Sequence, residues 1–204
     1  MVRWYLVRHG RTVYNRDGRI QGHNQNPLDE EGLVQAGSLR NRLTGKIFSA
    51  AFSSDLTRAI ETARIILNNR QIALDTSPDL RELDYGLWEG MNLEEIETGY
   101  KDEMSRFVEG DHDFAPPEGE SVTHLLERTG RFVEQVKDQL TEGNLLVVCH
   151  GGSLRGLVVH LLELPADRFW SLQVDQASLS IVDIYPNRAV LNLFNDTSHL
   201  GEIS

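Results

Sequence analysis

Cysteine is nearly absent from this chain: Cys149 is the only one among 204 residues. A disulfide within the chain is therefore excluded, and so is a thiolate-rich zinc site. Basic charge is scarce as well, with 20 Lys and Arg against 31 Asp and Glu and a net charge of -11. No basic face is available to track a nucleic-acid backbone, so nucleic acid is not expected as a partner. An anionic small molecule is still permitted, because a few arginines focused in a cleft can hold phosphate on an acidic protein. No apolar run reaches the length of a membrane span, and no membrane partner is expected. Met1-Val2-Arg3-Trp4 runs directly into the first strand and leaves no room for a signal peptide, which points to the cytoplasm.

Several signature motifs are missing too. The chain has no Gly-x-x-x-x-Gly-Lys-Ser/Thr loop and no Gly-x-Gly-x-x-Gly after its first strand. It has no Gly-x-Ser-x-Gly elbow and no His-Glu-x-x-His helix. Repeats, low-complexity tracts and linkers are also lacking, so residues 1–204 read as one domain. Hydrophobic residues make up 40% and charged residues 25%, enough for an ordinary globular core.

What is present begins with Trp4-Tyr5-Leu6-Val7, a short apolar run that reads as a buried strand. Arg8-His9-Gly10-Arg11 follows at once, so a histidine and an arginine stand at the strand's C-terminal end, where open α/β sheets place their ligands. The design recurs in Val147-Val148-Cys149-His150-Gly151. In a parallel sheet both histidines emerge at one edge. One such histidine is most simply a residue at a strand end; two matching ones, the first beside an arginine, favour function. Arginine matches phosphate oxygens bidentately, and neutral histidine is a nucleophile toward phosphorus.

Helical spacing predicts helices over 29–43, over a segment capped by Ser54 or Asp55 that runs through Ile60 and Leu67, over 121–140 with Gly143 at its end, and through Leu154 to Leu161. Short helices are expected around 93–96 and 104–108. Strands are expected at 50–53, 72–75, 145–148, 179–184 and 189–193, the last two as an antiparallel edge hairpin around Pro186-Asn187. Helices alternating with short apolar strands imply a three-layer α/β/α sandwich with a mostly parallel mixed sheet. The edge hairpin offers a surface for pairing across a two-fold axis, so a homodimer is one partner expectation.

Arg58 follows a strand on the first turn of a helix, where anions bind, and a solvated surface arginine fits the spacing equally well. Glu82, Asp84 and Glu89 alternate with apolar residues in one segment, any of them able to serve as a general acid. The loops 18–22 and 116–121 could close over a substrate or merely connect. His112, His124 and His160 read as surface or core-edge residues, whereas His23 lies near the expected mouth and His199 in the tail. Cys149 reads as an inert buried thiol. A cysteine phosphatase built on Cys149 and Arg155 is a weak rival.

Taken in order, these segments resemble the histidine phosphatase superfamily, in its phosphoglycerate-mutase-like branch, over nearly the whole chain. The matching segments are Leu6-Val7-Arg8-His9-Gly10-Arg11-Thr12 with Asn15; Gln21-Gly22, Pro27-Leu28 and Gly32; Ser53-Ser54-Asp55-Leu56-Thr57-Arg58-Ala59; Glu82 with Tyr85-Gly86; Gly119-Glu120-Ser121; and His150-Gly151-Gly152. The resemblance implies a phosphoglycerate mutase-like fold and a phosphohistidine on His9. It implies that Arg8, Arg58 and His150 surround the phosphoryl oxygens and that Glu82 protonates the leaving oxygen and then activates water. Asn15, Gln21, Gly22 and the backbone of Gly151 would add contacts. His9 would be neutral and His150 charged. No metal or other cofactor is implied.

The tail, Phe169-Trp170-Ser171-Leu172 with Asn195 to Glu202, resembles small bacterial phosphatases acting on phosphoserine, α-ribazole phosphate or many esters. The expected partner is thus a small-molecule phosphomonoester, with His23, Trp88 and His199 shaping the leaving-group pocket. A bisphosphoglycerate-dependent mutase is the alternative, but it needs a lid with extra cations, and residues 90–119 are short and acidic. A catalytically silent binding module is a third reading; it is disfavoured because the nucleophile, both arginines, the acid and the second histidine are all present.

Overall fold

The computed structural model describes residues 1–68 and 70–201. Six strands form one mixed sheet: β1 (Val2–Arg8), β2 (Ala50–Ser54), β3 (Asp75–Ser77), β4 (Gly143–Cys149), β5 (Leu179–Tyr185) and β6 (Arg188–Asp196). Their spatial order is β3-β2-β4-β1-β5-β6. The pairs β2/β3, β2/β4 and β1/β4 are parallel, whereas β1/β5 and β5/β6 are antiparallel, so the expected edge hairpin forms.

The central strands are buried on both faces, which is why they read as continuous apolar runs. Trp4, Leu6, Leu145 and Val147 face one layer, meeting Phe132, Val133 and Val136 of α6 (Val122–Gln139) and Leu157 and Val158 of α7 (Gly151–Leu161). Tyr5, Val7, Leu146 and Val148 face the other, meeting Leu39 of α2 (Glu30–Arg42) and Ala59, Ala63 and Ile66 of α3 (Thr57–Leu67). This alternation follows from the two-residue period of a strand. It makes the three-layer α/β/α sandwich that the sequence implies.

The β1/β4 register sets up the site. Arg8 lies opposite Cys149, so His9 and His150 leave the sheet side by side. Between β3 and α6 the chain is largely irregular, with two single-turn 3₁₀ helices, Pro78–Leu80 and Gly86–Trp88, and the short helices Leu93–Gly99 and Lys101–Val108.

Three local expectations differ from the structure. β3 forms at Asp75–Ser77, not at 72–75; Ile72 and Leu74 pack half-buried against the core, and the three residues after them pair with Phe52, Ser53 and Ser54. Neither Ser54 nor Asp55 caps α3. Buried Leu56 occupies the cap position, the Thr57 N–H donates to Gln25 Oε1 at 2.9 Å, and Asp55 pairs with Arg81 instead. Gly143 opens β4 with φ 104° and does not end α6; a Cβ there would lie 2.2 Å from Ser49 Oγ.

Candidate active site

His9 is fixed by its backbone before its side chain does anything. Its N–H donates to Cys149 O at 2.9 Å, and its carbonyl accepts from Ala177 N–H at 3.0 Å. The next N–H, of Gly10, donates to Thr62 Oγ1 at 3.1 Å. A Cβ on Gly10 would meet Gly32 O at 2.6 Å, so only glycine fits there. The ring is 2% exposed, and Nδ1 lies 2.7 Å from Gly10 O. A carbonyl can only accept, so Nδ1 carries the proton. Nε2 is left with its lone pair in the cleft, where it accepts from Arg58 Nε at 3.2 Å.

Arg58 is 0% exposed and far from the solvated reading. Its Nη1 donates to Asn24 O and its Nη2 to Gly22 O, each at 2.8 Å. Arg8 donates through Nη1 to Val174 O at 2.6 Å, and its Nε is buried without a partner among the described residues. His150, also 0% exposed, has both ring nitrogens unpartnered among the described residues, with its ring centroid 5.0 Å from that of His9. Buried polar groups of this kind are held for a ligand or carry strain.

Burial, then the charges of Arg58 and Arg8, push the His9 pKa well below the ordinary imidazole value. Burial, then Arg58 and His9, do the same at His150. His9 is therefore neutral, as a nucleophile requires. The expectation that His150 is charged does not hold in this structure, because burial and the adjacent guanidinium both oppose the imidazolium. Burial lowers Arg58 to about 10, which still leaves it a cation at neutral pH.

Of the three candidate acids, Glu82 is the one in the cleft. Its Oε1 accepts from Leu83 N–H at 2.9 Å and from Gly152 N–H at 2.8 Å, while Oε2 accepts no hydrogen bond from the described residues. One oxygen is thus anchored and the other is free to carry a proton. A Cβ on Gly151 would lie 3.6 Å from both Arg8 Cζ and Glu82 Oε2, which places acid, arginine and the start of α7 together. Asp84 accepts from Gly86 N–H, and Glu89 accepts from His23 N–H at 2.6 Å; burial raises Glu89.

The cleft has a volume of about 190 Å³. Arg8, His9, Arg58 and Glu82 line it together with Asn15, Gln21 and Gly22, as the sequence implies, and Arg19, Ile20 and Tyr85 complete it. Asn15 Oδ1 accepts from Thr12 N–H at 3.2 Å, so its amide N–H groups are the ones left for a ligand. Gln21 Oε1 accepts from Thr12 Oγ1 at 2.8 Å. Gly22 has φ 49°, and a Cβ there would overlap Glu89 Oε1.

Trp88 does not line the cleft. It is 1% exposed and packs with Ile96 and Phe114 in a separate aromatic cluster. His199 stands behind the site, with Nε2 3.0 Å from Ala177 O, the residue whose N–H holds the His9 carbonyl. Glu202 lies outside the described residues. His23 reaches the acid's backbone, with Nε2 2.9 Å from Glu82 O. The loop 116–121 packs on the acid segment through Leu87 N–H to Pro117 O at 2.9 Å and Glu120 N–H to Asp84 O at 2.9 Å, and does not close over the cleft. Burial pushes the Cys149 thiol up to about 12, which removes the cysteine-phosphatase rival.

Arg19, Tyr85 and Arg128 were missed as site residues. Arg128 sits on the buried face of α6 and donates to Asp79 O, Arg81 O and Glu82 O at 2.7 to 2.9 Å. A cation on the apolar stripe of an amphipathic helix was the available signal. Among the described residues, no group of three or more His, Cys, Asp or Glu could hold a metal ion, and no helix is long and apolar enough to cross a membrane.

Two buried histidines, two arginines and a carboxylate thus converge at one sheet edge, and the chain belongs to the histidine phosphatase superfamily (branch 1), whose family model matches residues 4–197. It is similar to the solved alpha-ribazole phosphatase of Shigella flexneri, with 32% identity, a TM-score of 0.90 and coverage of 95% of this chain and 96% of that one. It is 33% identical over 202 residues to phosphoserine phosphatase 1 of Hydrogenobacter thermophilus, covering 99% of this chain and 96% of the relative. It is 34% identical over 205 residues to the protein named "Probable phosphoglycerate mutase GpmB" of Yersinia pestis, covering 98% and 95%.

Proposed function

We propose that this protein is a phosphomonoesterase that hydrolyses a small phosphorylated metabolite in the cytoplasm through a phosphohistidine on His9. The observation that carries the reading is the state of His9. Its Nδ1–H is committed to Gly10 O, its Nε2 lone pair accepts only from Arg58 Nε among the described residues, and Glu82 lines the same cleft.

In the first half-reaction Nε2 attacks phosphorus and the P–O ester bond breaks. The proton on Glu82 moves to the leaving oxygen, giving a free alcohol and a carboxylate. In the second, that carboxylate takes a proton from water as the water oxygen attacks phosphorus. The P–N bond breaks, inorganic phosphate leaves, and neutral His9 and protonated Glu82 return. Arg8, Arg58 and the N–H groups at the start of α7 stabilise the charge on the equatorial oxygens. Substrate opposes the causes that keep His150 neutral, so His150 takes up a proton from solvent as phosphate binds and then donates to it. Two guanidinium groups supply the positive charge that such a transfer needs, which supports a reaction without metal.

Phosphoserine and α-ribazole phosphate are the first candidate substrates, since similar proteins are named for them. A mutase finds less support. In residues 90–119 the only cations are Lys101 and Arg106, and Arg106 is paired with Asp111.

The test is phosphate release in excess chelator across phosphoserine, α-ribazole phosphate, 3-phosphoglycerate and para-nitrophenyl phosphate, with acid-labile, base-stable phosphoryl label tracked on the protein. Release that survives chelator, with label on histidine that is lost in His9→Ala, is expected. Release that stops on metal removal, or turnover retained in His9→Ala, would overturn the reading.

A further inference from the structure

The Glu82 carbonyl accepts two side-chain hydrogen bonds, from His23 Nε2 and from Arg128 Nη2, each at 2.9 Å. Both lone pairs of that oxygen are thus occupied. Arg128 approaches from α6, behind the acid. His23 approaches from the opposite strip of chain, directly after Gly22, whose carbonyl holds Arg58. The His23 N–H donates to Glu89 Oε1 at 2.6 Å, and Nδ1 faces Asp84 Oδ2 at 3.4 Å. A single ring therefore spans the loop that fixes Arg58 and the segment that carries the acid.

The tautomer follows from the partners. A carbonyl cannot donate, so Nε2 carries a proton toward Glu82 O. The ring donates to Glu82 O while the backbone N–H of the same residue donates to Glu89 Oε1, and so His23 fixes how far Glu82 stands from the Arg58–His9 pair. His23 is not among the residues lining the cleft.

We propose that His23 is a positioning residue for the general acid: through the Glu82 carbonyl it sets the distance from Glu82 Oε2 to the leaving oxygen of a phosphate held over His9, without touching the leaving group itself. The proposal rests on the phosphohistidine reading above. It implies that His23 matters in proportion to how badly the leaving group needs a proton.

The test is kcat/KM for a series of substituted phenyl phosphates, from phenyl to para-nitrophenyl, in wild type, His23→Ala and His23→Gln. kcat/KM reports the first phosphoryl transfer, and the series changes leaving-group acidity with little change in shape. In wild type the dependence on phenol acidity is expected to be shallow. In His23→Ala, displacement of the acid should lower the rate for phenyl phosphate by ~10²-fold, the usual cost of a misplaced catalytic group. The para-nitrophenyl ester should lose far less, so the dependence steepens. His23→Gln keeps an N–H within reach of Glu82 O and should restore most of the phenyl phosphate rate. Equal losses along the series would overturn the proposal, as would a change in KM alone that tracks leaving-group shape. A wild-type protein that never labels on His9 would instead overturn the phosphohistidine reading.

Discussion

Gly152→Ala offers a sharp test of the site's geometry. The Gly152 N–H donates to Glu82 Oε1 at 2.8 Å, and a Cβ at this position would lie 2.4 Å from that same oxygen and 3.2 Å from Leu125 Cδ1. The backbone is helical and not left-handed, so alanine meets no conformational penalty and gains roughly 0.5–1 kcal/mol over glycine in a helix. Against this stands overpacking of about 1–3 kcal/mol in a filled interior. The two partly offset, leaving a net loss of about 0–2.5 kcal/mol and a Tm drop of at most ~10 °C for a chain of this size. Catalysis should respond quite differently. Restoring an ordinary contact requires the carboxylate to retreat by about 1 Å, and a shift of that size costs ~10²-fold. Thermal melting beside steady-state kinetics on phenyl phosphate separates the two effects. A variant that melts near wild type yet loses about two orders of magnitude in kcat/KM is expected. Wild-type kinetics in Gly152→Ala would refute the placement of Glu82 Oε1 as the anchored oxygen.

Three further outcomes follow from the same geometry. Since His9 is held well below the ordinary imidazole pKa by burial and by Arg58, its ring should still give the neutral Nδ1–H pattern in ¹⁵N NMR at pH 6; a titration midpoint at or above 6.5 would contradict this. His9 and His150 both bind protons more weakly folded than unfolded, so the unfolded chain takes up the excess protons below its own imidazole pKa, ~6.5. Denaturant melts should accordingly show stability fully present above that pH and falling as pH drops below it; a flat profile between pH 7 and 5 would count against two buried neutral histidines. Trp88→Ala should cost about 3–5 kcal/mol of stability, as for other large buried aromatics, while leaving the ranking of substrates unchanged. A reordered ranking in that variant would restore Trp88 to the leaving-group pocket.

Much of the fold was legible because burial on both faces leaves a direct mark: Trp4-Tyr5-Leu6-Val7 and Leu145-Leu146-Val147-Val148 could hardly be anything but inner strands. The twin histidines were legible for the same reason, since each stands two residues past such a run. Edges and turns were less so. β3 has three residues and no apolar face, and its position is set by pairing with β2, which no local pattern records. Trp88 misled because an aromatic beside glycine in an acidic segment looks the same whether its ring turns inward or toward a ligand; here Ile96 and Phe114 decide it. His23 does not line the cleft; the partner of its ring is a backbone oxygen, and backbone partners leave no trace in residue types. Arg128 was hidden inside an otherwise ordinary amphipathic helix.

The order of the strands carries a consequence for how this protein comes into being. β1, which delivers Arg8 and His9, pairs only with β4 and β5, and both lie in the last third of the chain. During synthesis the first strand to emerge is therefore the one that waits longest for its neighbours, a long-range topology that slows folding. Until residues 143–185 leave the ribosome, its apolar edge has no native pairing and is a candidate for chaperone capture. A fragment that stops before β4 cannot assemble the paired histidines, so phosphate turnover requires synthesis past residue 150, and a shorter product stays silent.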